Sequence, residues 1–328
     1  MSVSRQSGRN GSVLIIILWS LFLLSALSVA IGGYVRPHLR FAGVLKDRAQ
    51  AYYLAKAGVE MCLLQIQNDK DDSYFTPDDL WATEEDAFVN VQTEGGRFSV
   101  SCITPGEEDG EETTRHGVLD EERYINVNSA PQEVLKNFFE IVCEMTSQNA
   151  NDLAASIVDW RDEDDDPLEG GAEEGYYLTC SPQYSPKNKE FEVLEELLLV
   201  KGMSREIFDQ IKDRITIYGS GAVNINTADE MTLLSLGLSE ELVEEIMHFR
   251  SAEGGTIEST GAIAMALNEE ETLTGEDNSR ILRLVANGLL SVRSDTFRAR
   301  ARGEASGGGT AEIVFVFDRD KNIKYWRE

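Results

Sequence analysis

The sequence predicts an α+β protein: one long N-terminal helix packed on an antiparallel sheet, with a large helical insert interrupting the sheet. Three observations point to this class. An uncharged stretch from Asn10 to Val35 runs directly into a segment of helical periodicity. Strand-like pieces stand on both sides of the middle of the chain, and the middle itself repeats two short motifs with helix-start spacing.

The helix comes first. Arg5 and Arg9 precede an apolar core, Val13 to Ile31, long enough to cross a bilayer, since about 20 helical residues cover roughly 30 Å. Beyond it Phe41, Val44, Leu45, Ala49, Tyr52, Ala55, Val59, Leu63 and Ile66 recur at three- and four-residue steps, while Lys46, Asp47, Lys56 and Glu60 occupy other faces. One helix from Val13 to about Ile66 is expected. Three fates fit its start: a secretory signal cut after Ser28-Val29-Ala30, a retained anchor, or a prepilin-type leader cut between Gly11 and Ser12. No polar region separates the apolar run from Ala30, and the helical register continues past it. Both favour the cut after Gly11, with the plain anchor second.

The strands follow. Arg97 to Ile103 and Arg123 to Val127 precede the middle region; Leu289 to Arg293, Thr296 to Arg302, Thr310 to Phe317 and Ile323 to Trp326 follow it. Phe297-Arg298-Ala299-Arg300-Ala301-Arg302 alternates with period two, and Asp318 to Asn322 reads as a hairpin turn. Gly303 to Gly309 reads as a flexible connection. Two acidic stretches, Gly106 to Glu122 and Glu269 to Asp277, read as mobile loops near the sheet–insert junctions.

The insert is expected over about Asn128 to Gly288. Asn126-Val127-Asn128-Ser129-Ala130 recurs as Asn224-Ile225-Asn226-Thr227-Ala228, and Ser129 with Gln132, like Thr227 with Glu230, has capping-box spacing. A second repeat matches Leu199, Gly202, Met203, Ser204, Ile207 and Ile211 to Leu234, Gly237, Leu238, Ser239, Leu242 and Ile246. Each reads as helix, glycine hairpin, helix, and resembles a helix-hairpin-helix (SAM-like) module. Many such modules bind DNA through hairpin amides and basic side chains. Here Glu240, Glu241, Glu244 and Glu245 follow the second hairpin, and the chain carries 58 acidic against 30 basic residues, a net charge of -28. Phosphate is repelled, so no nucleic acid is expected.

The densest acidic run is Asp159, Asp162, Glu163, Asp164, Asp165, Asp166, Glu169, Glu173 and Glu174. Crowded carboxylates repel one another unless solvated, protonated or bridged by a cation such as calcium. Asp162, Asp164, Asp166 and Glu173 fall at positions 1, 3, 5 and 12 of an EF-hand, but the sixth position, where that loop needs glycine, is Pro167. A looser calcium loop and a solvated surface run both fit. Catalysis finds no support: His38, His116 and His248 stand in unrelated contexts, and neither a GxSxG nor a P-loop occurs. Cys62, Cys102, Cys143 and Cys180 show no close pairing, so zinc and redox readings are weak and any disulfide pairing is open.

The basic leader ending at Gly11, the flush run Ser12-Val13-Leu14-Ile15-Ile16 and the stalk helix resemble the pseudopilins of type II secretion. The fifth residue after the cut is Ile16, where most members carry glutamate. In that family the glutamate faces a neighbour's free amino terminus, because an unpaired carboxylate in hydrocarbon costs several kcal/mol. Ile16 lacks the pairing group, which a filament end tolerates. Together with Asp159-Trp160-Arg161-Asp162, Gly171-Ala172-Glu173-Glu174, Tyr176-Tyr177, Tyr184 and Asn188, the chain is similar to the K-type minor pseudopilins.

That resemblance implies a pilin-like fold: leader 1–11, transmembrane helix 12–33, periplasmic stalk 34–68, a β domain from 69–127 and 289–328, and a helical insert 128–288 with an acidic loop 159–188. It implies calcium near Asp162, Asp164, Glu173, Glu174 and Asn188. It also implies a non-enzymatic role at the pseudopilus tip, nucleating or capping assembly for export of folded proteins. Implied partners are the other minor pseudopilins, docking through the stripe Phe41 to Ile66, together with prepilin peptidase and the inner membrane. The head would face the periplasm, and N-methylation of Ser12 would mark the prepilin route. A membrane-anchored helix-hairpin-helix DNA-uptake receptor is the alternative, and a calcium-dependent periplasmic hydrolase a third.

Overall fold

The computed structural model of the protein describes residues 10–69, 72–104, 113–252, 254–267 and 274–328. Helix α1, Asn10–Asn68, has 59 residues and is therefore about 90 Å long at 1.5 Å per residue. It carries Pro37 without ending. From Val13 to Ala42 nearly all its side chains are exposed, and its apolar stretch has a mean hydropathy of 2.7. From Ala51 on, one face is buried: Ala51, Leu54, Ala55, Val59, Cys62 and Ile66. The expected stripe is thus split. Its C-terminal part is core, whereas Phe41, Val44 and Leu45 are 63%, 64% and 51% exposed.

The chain then turns through α2 (Leu80–Thr83) and α3 (Glu85–Phe88) into β1 (Val91–Thr93), β2 (Gly96–Thr104), β3 (Thr113–His116) and β4 (Leu119–Asp120). It enters the insert through β5 (Ile125–Asn126), α4 (Gln132–Val142), α5 (Ser147–Arg161), α6 (Glu174–Tyr177), α7 (Arg205–Ile211), β6 (Ile215–Thr216) and β7 (Val223–Asn224). The rest of the insert is α8 (Glu230–Ser235), α9 (Glu240–Ser251), α10 (Ile263–Ala266), α11 (Gly275–Ala286) and β8 (Leu290–Ser291). Strands β9 (Thr296–Ala305), β10 (Thr310–Asp318) and β11 (Ile323–Arg327) complete the sheet.

The sheet runs β1-β2-β9-β10-β11, with β3 added to β2 and β4 to β9, and every pairing in it is antiparallel. Alternation does what period two predicts. Phe297, Ala299 and Ala301 are buried in the core shared with α1, and the arginines between them lie on the other face. The helix sits very close to the sheet because glycines face it. A Cβ on Gly58 would meet that of Ala301 at 3.1 Å, and one on Gly303 would run into the backbone of Ala51. Gly303 is therefore a packing residue inside β9 rather than part of a flexible connection; the β9–β10 turn spans 306–309. The hairpin after β10 forms as expected, with Asn322 N donating to Asp318 Oδ1 at 2.8 Å and Lys321 at φ 68°.

Two expected sheet strands belong to the insert instead. Ile125–Asn126 pairs in parallel with β6, and Leu290–Ser291 in parallel with β7. The insert is built twice around these pairs. In the first half Asn126 Oδ1 accepts from Asn128 N at 2.8 Å, and Asn128 clasps Phe191 by two bonds, Phe191 N to Oδ1 at 2.7 Å and Nδ2 to Phe191 O at 3.0 Å. In the second, Asn224 Oδ1 accepts from Asn226 N at 2.9 Å, and Asn226 clasps Ile257 by two bonds of 3.0 Å. Arg161, ending α5, donates to Val127 O and Ala130 O; Arg250, near the end of α9, donates to Ala228 O at 2.6 Å. The repeated Asn-x-Asn motif is thus a backbone clasp.

It is not a helix cap. The N-cap of α4 is Pro131, with no side-chain bond, and that of α8 is Asp229, which accepts from Thr232 N at 2.8 Å. Thr227 turns away to donate to Asp120. Each helix starts later than the capping-box spacing requires. The glycine hairpins do form: Gly202 (φ 86°) lies between the 3-10 turn Leu194–Leu199 and α7, and Gly237 (φ 78°) between α8 and α9, with Ser204 and Ser239 capping the second helices.

Both acidic stretches are more structured than expected. Residues 105–112 and 268–273 lie outside the described residues. The remainder of the first forms β3 and β4 and buries Asp120, Glu121 and Glu122, which are 2%, 0% and 2% exposed. In the second, Thr274 and Asp277 make a reciprocal capping box on α11. The four cysteines are free thiols; burial pushes that of Cys143 up to about 11.

Candidate metal centre

Helix α5 carries the first ligands because its last turn is buried on one side. Thr146 caps its start by accepting from Asn149 N. At its end Arg161 is drawn onto the carbonyls of the Asn-x-Asn segment, which fixes Asp159 on the face toward the acidic loop and Asp162 at the C-cap. Asp159 and Asp162 are three apart and so share a helical face. The loop returns across them. Leu168 N donates to Asp159 Oδ1 at 3.1 Å and Ala172 N to Oδ2 at 2.7 Å, which brings Glu173 alongside. A side chain on Gly171 would collide with the Asp159 carboxylate.

Carboxylate oxygens of Asp159, Asp162 and Glu173 lie within 4.8 Å of one another. Asp159 is fully buried and Glu173 is 5% exposed. Asp162 Oδ1 and both oxygens of Glu173 are buried without a hydrogen-bond donor, as is Oδ1 of Asn188. Asn188 reaches the site through a left-handed backbone (φ 48°), with its N–H on Trp160 O at 3.0 Å and its Nδ2 on Asp164 O and Asp165 Oδ1 at 3.2 and 3.1 Å. Its side-chain oxygen is left buried without a donor. Aromatic packing braces the loop: Trp160 meets Tyr177 edge-on at 5.2 Å and Phe191 in a stack at 6.5 Å. Lys201 Nζ holds the carbonyls of Gly170 and Gly171 at 2.9 Å each.

Electrostatics push the carboxyls up together. Burial, then Asp159, Asp162, Asp165 and Asp164, raise Glu173 to about 7. Burial first, then neighbouring acids, raise Asp162 and Asp159 as well. Buried oxygens without donors, crowded to this spacing, suit a hard cation bound at ~2.3–2.6 Å. The residues fit calcium chemistry: all-oxygen donors, several of them anionic.

The sequence-based set is only partly brought together. Asp162 and Glu173 are in the cluster, and Asn188, bonded to Trp160, Asp164 and Asp165 of the same loop, has a buried oxygen without a donor. Asp164 is exposed and accepts from Asp166 N at 2.9 Å; Glu174 is exposed at the start of α6 and accepts from Ser185 Oγ at 3.2 Å. Asp159 was missing from that set, although its i, i+3 relation to Asp162 signals it. Gly11 and Ser12 lie in the first turns of α1, and Ile16 is 66% exposed on it.

Comparison with known proteins agrees with this architecture. Residues 107–220, which contain the first half of the insert and its acidic loop, match the family described as type II secretion system (T2SS), protein K. A type II secretion system protein K from Klebsiella pneumoniae is 24% identical over 284 residues, spanning 80% of this chain and 82% of that protein. A chain of the crystal structure of the GspK-GspI-GspJ complex from enterotoxigenic Escherichia coli superposes with a TM-score of 0.62 at 16% identity, covering 90% of this chain and 98% of that one.

Proposed function

The chain belongs to the K-type minor pseudopilins of the type II secretion system, and from that premise we propose that it stands at the pseudopilus tip, where it nucleates or caps assembly for export of folded proteins. The observation that supports the tip is Ile16. It lies on the exposed apolar part of α1, in the position where shaft subunits of the family carry a pairing glutamate. A carboxylate there needs a neighbour's ammonium beside it in the apolar layer; isoleucine needs none, which suits a subunit with no neighbour beyond it. The I- and J-type pseudopilins are the partners, in analogy with the complex of the Escherichia coli relative. They pack on Phe41, Val44 and Leu45, the part of the stripe that this chain's own sheet leaves uncovered. The DNA-uptake alternative is not supported.

Residues 12–33 of α1 span the inner membrane, the head lies in the periplasm, and the role is structural rather than catalytic. Prepilin peptidase removes 1–11, so mass spectrometry of the mature amino terminus gives N-methylated Ser12; an intact Met1 or a start after Ala30 contradicts the route. Calcium is held by Asp159, Asp162 and Glu173, with Asn188 as the fourth donor, and supplies the positive charge that lets the three carboxylates stay ionised side by side. Photocrosslinkers at Val44 and Leu45 in membranes test the assembly role. Capture of I- and J-type pseudopilins is expected; capture of lipid alone overturns it.

A further inference from the structure

Asp120, Glu121 and Glu122 form a segment that touches the sheet and both halves of the insert. Asp120 ends β4 and accepts Thr227 Oγ1 at 2.5 Å from the second half and Ser294 Oγ at 2.7 Å from the lead into β9; its other oxygen takes Glu122 N at 2.8 Å. Glu121 pairs with Arg298 of β9 at 2.5 Å and accepts the hydroxyl of Thr216 from the first half. Glu122 accepts Ser220 N at 3.2 Å and Thr296 N at 3.0 Å, while its carbonyl takes Asn224 N at 2.8 Å.

The charges around this joint do not balance. Arg298 is matched to Glu121, Asp229 to Arg214 at 2.8 Å, and Asp295 to Arg293 at 2.8 Å with Arg319 at 3.8 Å. Arg123 lies over the Tyr124 ring at 5.5 Å and acts on Asp120 only through space. Tyr218 faces Arg298 and Glu121. Among the described residues Asp120 and Glu122 therefore have hydroxyl and amide donors but no ion pair, at 2% exposure each.

We propose that Asp120 and Glu122 hold one proton between them and that its loss loosens the joint between the sheet and the helical insert, making the seating of the insert pH-sensitive. Two neighbouring buried carboxylates without a cation repel each other and are poorly solvated, so one stays neutral. Burial, then Asp120, pushes Glu122 up to about 9, and burial pushes Asp120 up to about 6. An acid whose folded pKa is raised keeps its proton after the unfolded chain has lost it. Its contribution is thus full below about 4.5, falls as pH rises, and is gone above about 9.

The test uses the full chain in detergent micelles at fixed ionic strength, with the wild type and Glu122→Gln melted from pH 5 to 9.5. The wild-type melting temperature is expected to decline by several degrees more than that of Glu122→Gln, whose amide cannot titrate. Infrared spectra supply a second readout: a protonated buried carboxyl band at pH 7 that is present in the wild type, missing from Glu122→Gln and gone by pH 10. Spin labels on β11 and α7, in a Cys143→Ser, Cys180→Ser background, are expected to show a broader sheet-to-insert distance distribution at pH 9.5 than at pH 6.5. Parallel melting curves, no protonated carboxyl at pH 7, or an unchanged distance distribution each overturn the proposal.

Discussion

The two halves of the insert close the same way but differ in the link they close over. Each begins with a short parallel strand, clasps an incoming segment with an asparagine side chain, and holds carbonyls of the motif with an arginine at or near the end of its second helix. From Arg250 to Ile257 the chain uses only residues 251–256. From Arg161 to Phe191 it uses 162–190, and this longer link carries the carboxylate cluster. The clasp is what the repeat needs in order to fold; the link is free to be elaborated, so the candidate site rests on a scaffold that also exists without it.

The largest effect that can break this comparison is calcium itself. Saturating calcium at 100–1,000 times its dissociation constant is expected to stabilise the chain by about 3–4 kcal/mol, with hydrogen exchange slowed in 159–190 and unchanged in 240–260. Equal protection in both links contradicts the assignment. Next come the clasps. Asn226→Ala strands two backbone groups and Asn128→Ala three, the longest of these bonds at 3.3 Å; each is expected to cost about 2–4 kcal/mol in chemical denaturation, and Asn226, 3% exposed, should cost more than the half-buried Asn128.

A sharper probe is Glu173→Gln, which should change sign. Without calcium it removes a crowded charge and stabilises by about 1–2 kcal/mol; with calcium it lowers affinity and destabilises relative to the wild type, as melting in chelator and in calcium would show. The smallest effect belongs to Asp164→Asn, an exposed carboxylate outside the cluster. Calorimetry should find calcium affinity within about twofold and stability within about 0.5 kcal/mol; a large loss would move the site toward the sequence-based set.

What the sequence reveals follows the length over which a physical signal accumulates. The period of α1 repeats for dozens of residues and marks its face, and the alternation of Phe297 to Arg302 marks β9, so both were legible. The period says that a face is apolar, not what covers it, which is why Val59 and Val44 looked alike although one is core and the other exposed. Strands β5 to β8 are two residues long, too short for any alternation to show. Burial of Asp120 to Glu122 depends on Thr227, Ser294 and Arg298, far along the chain, so those acids read as a solvated loop. In the candidate site, Asp162 and Glu173 were visible as chemistry, whereas excluding Asp164 and Glu174 needed the path of the loop. Asp159 lay within reach of helical spacing alone.

The tip position is tested most directly by electron microscopy of assembled pseudopili carrying a gold-labelled tag at the C-terminus of this chain. One label at one end of each fibre is the predicted result; labels repeating along the shaft would contradict it.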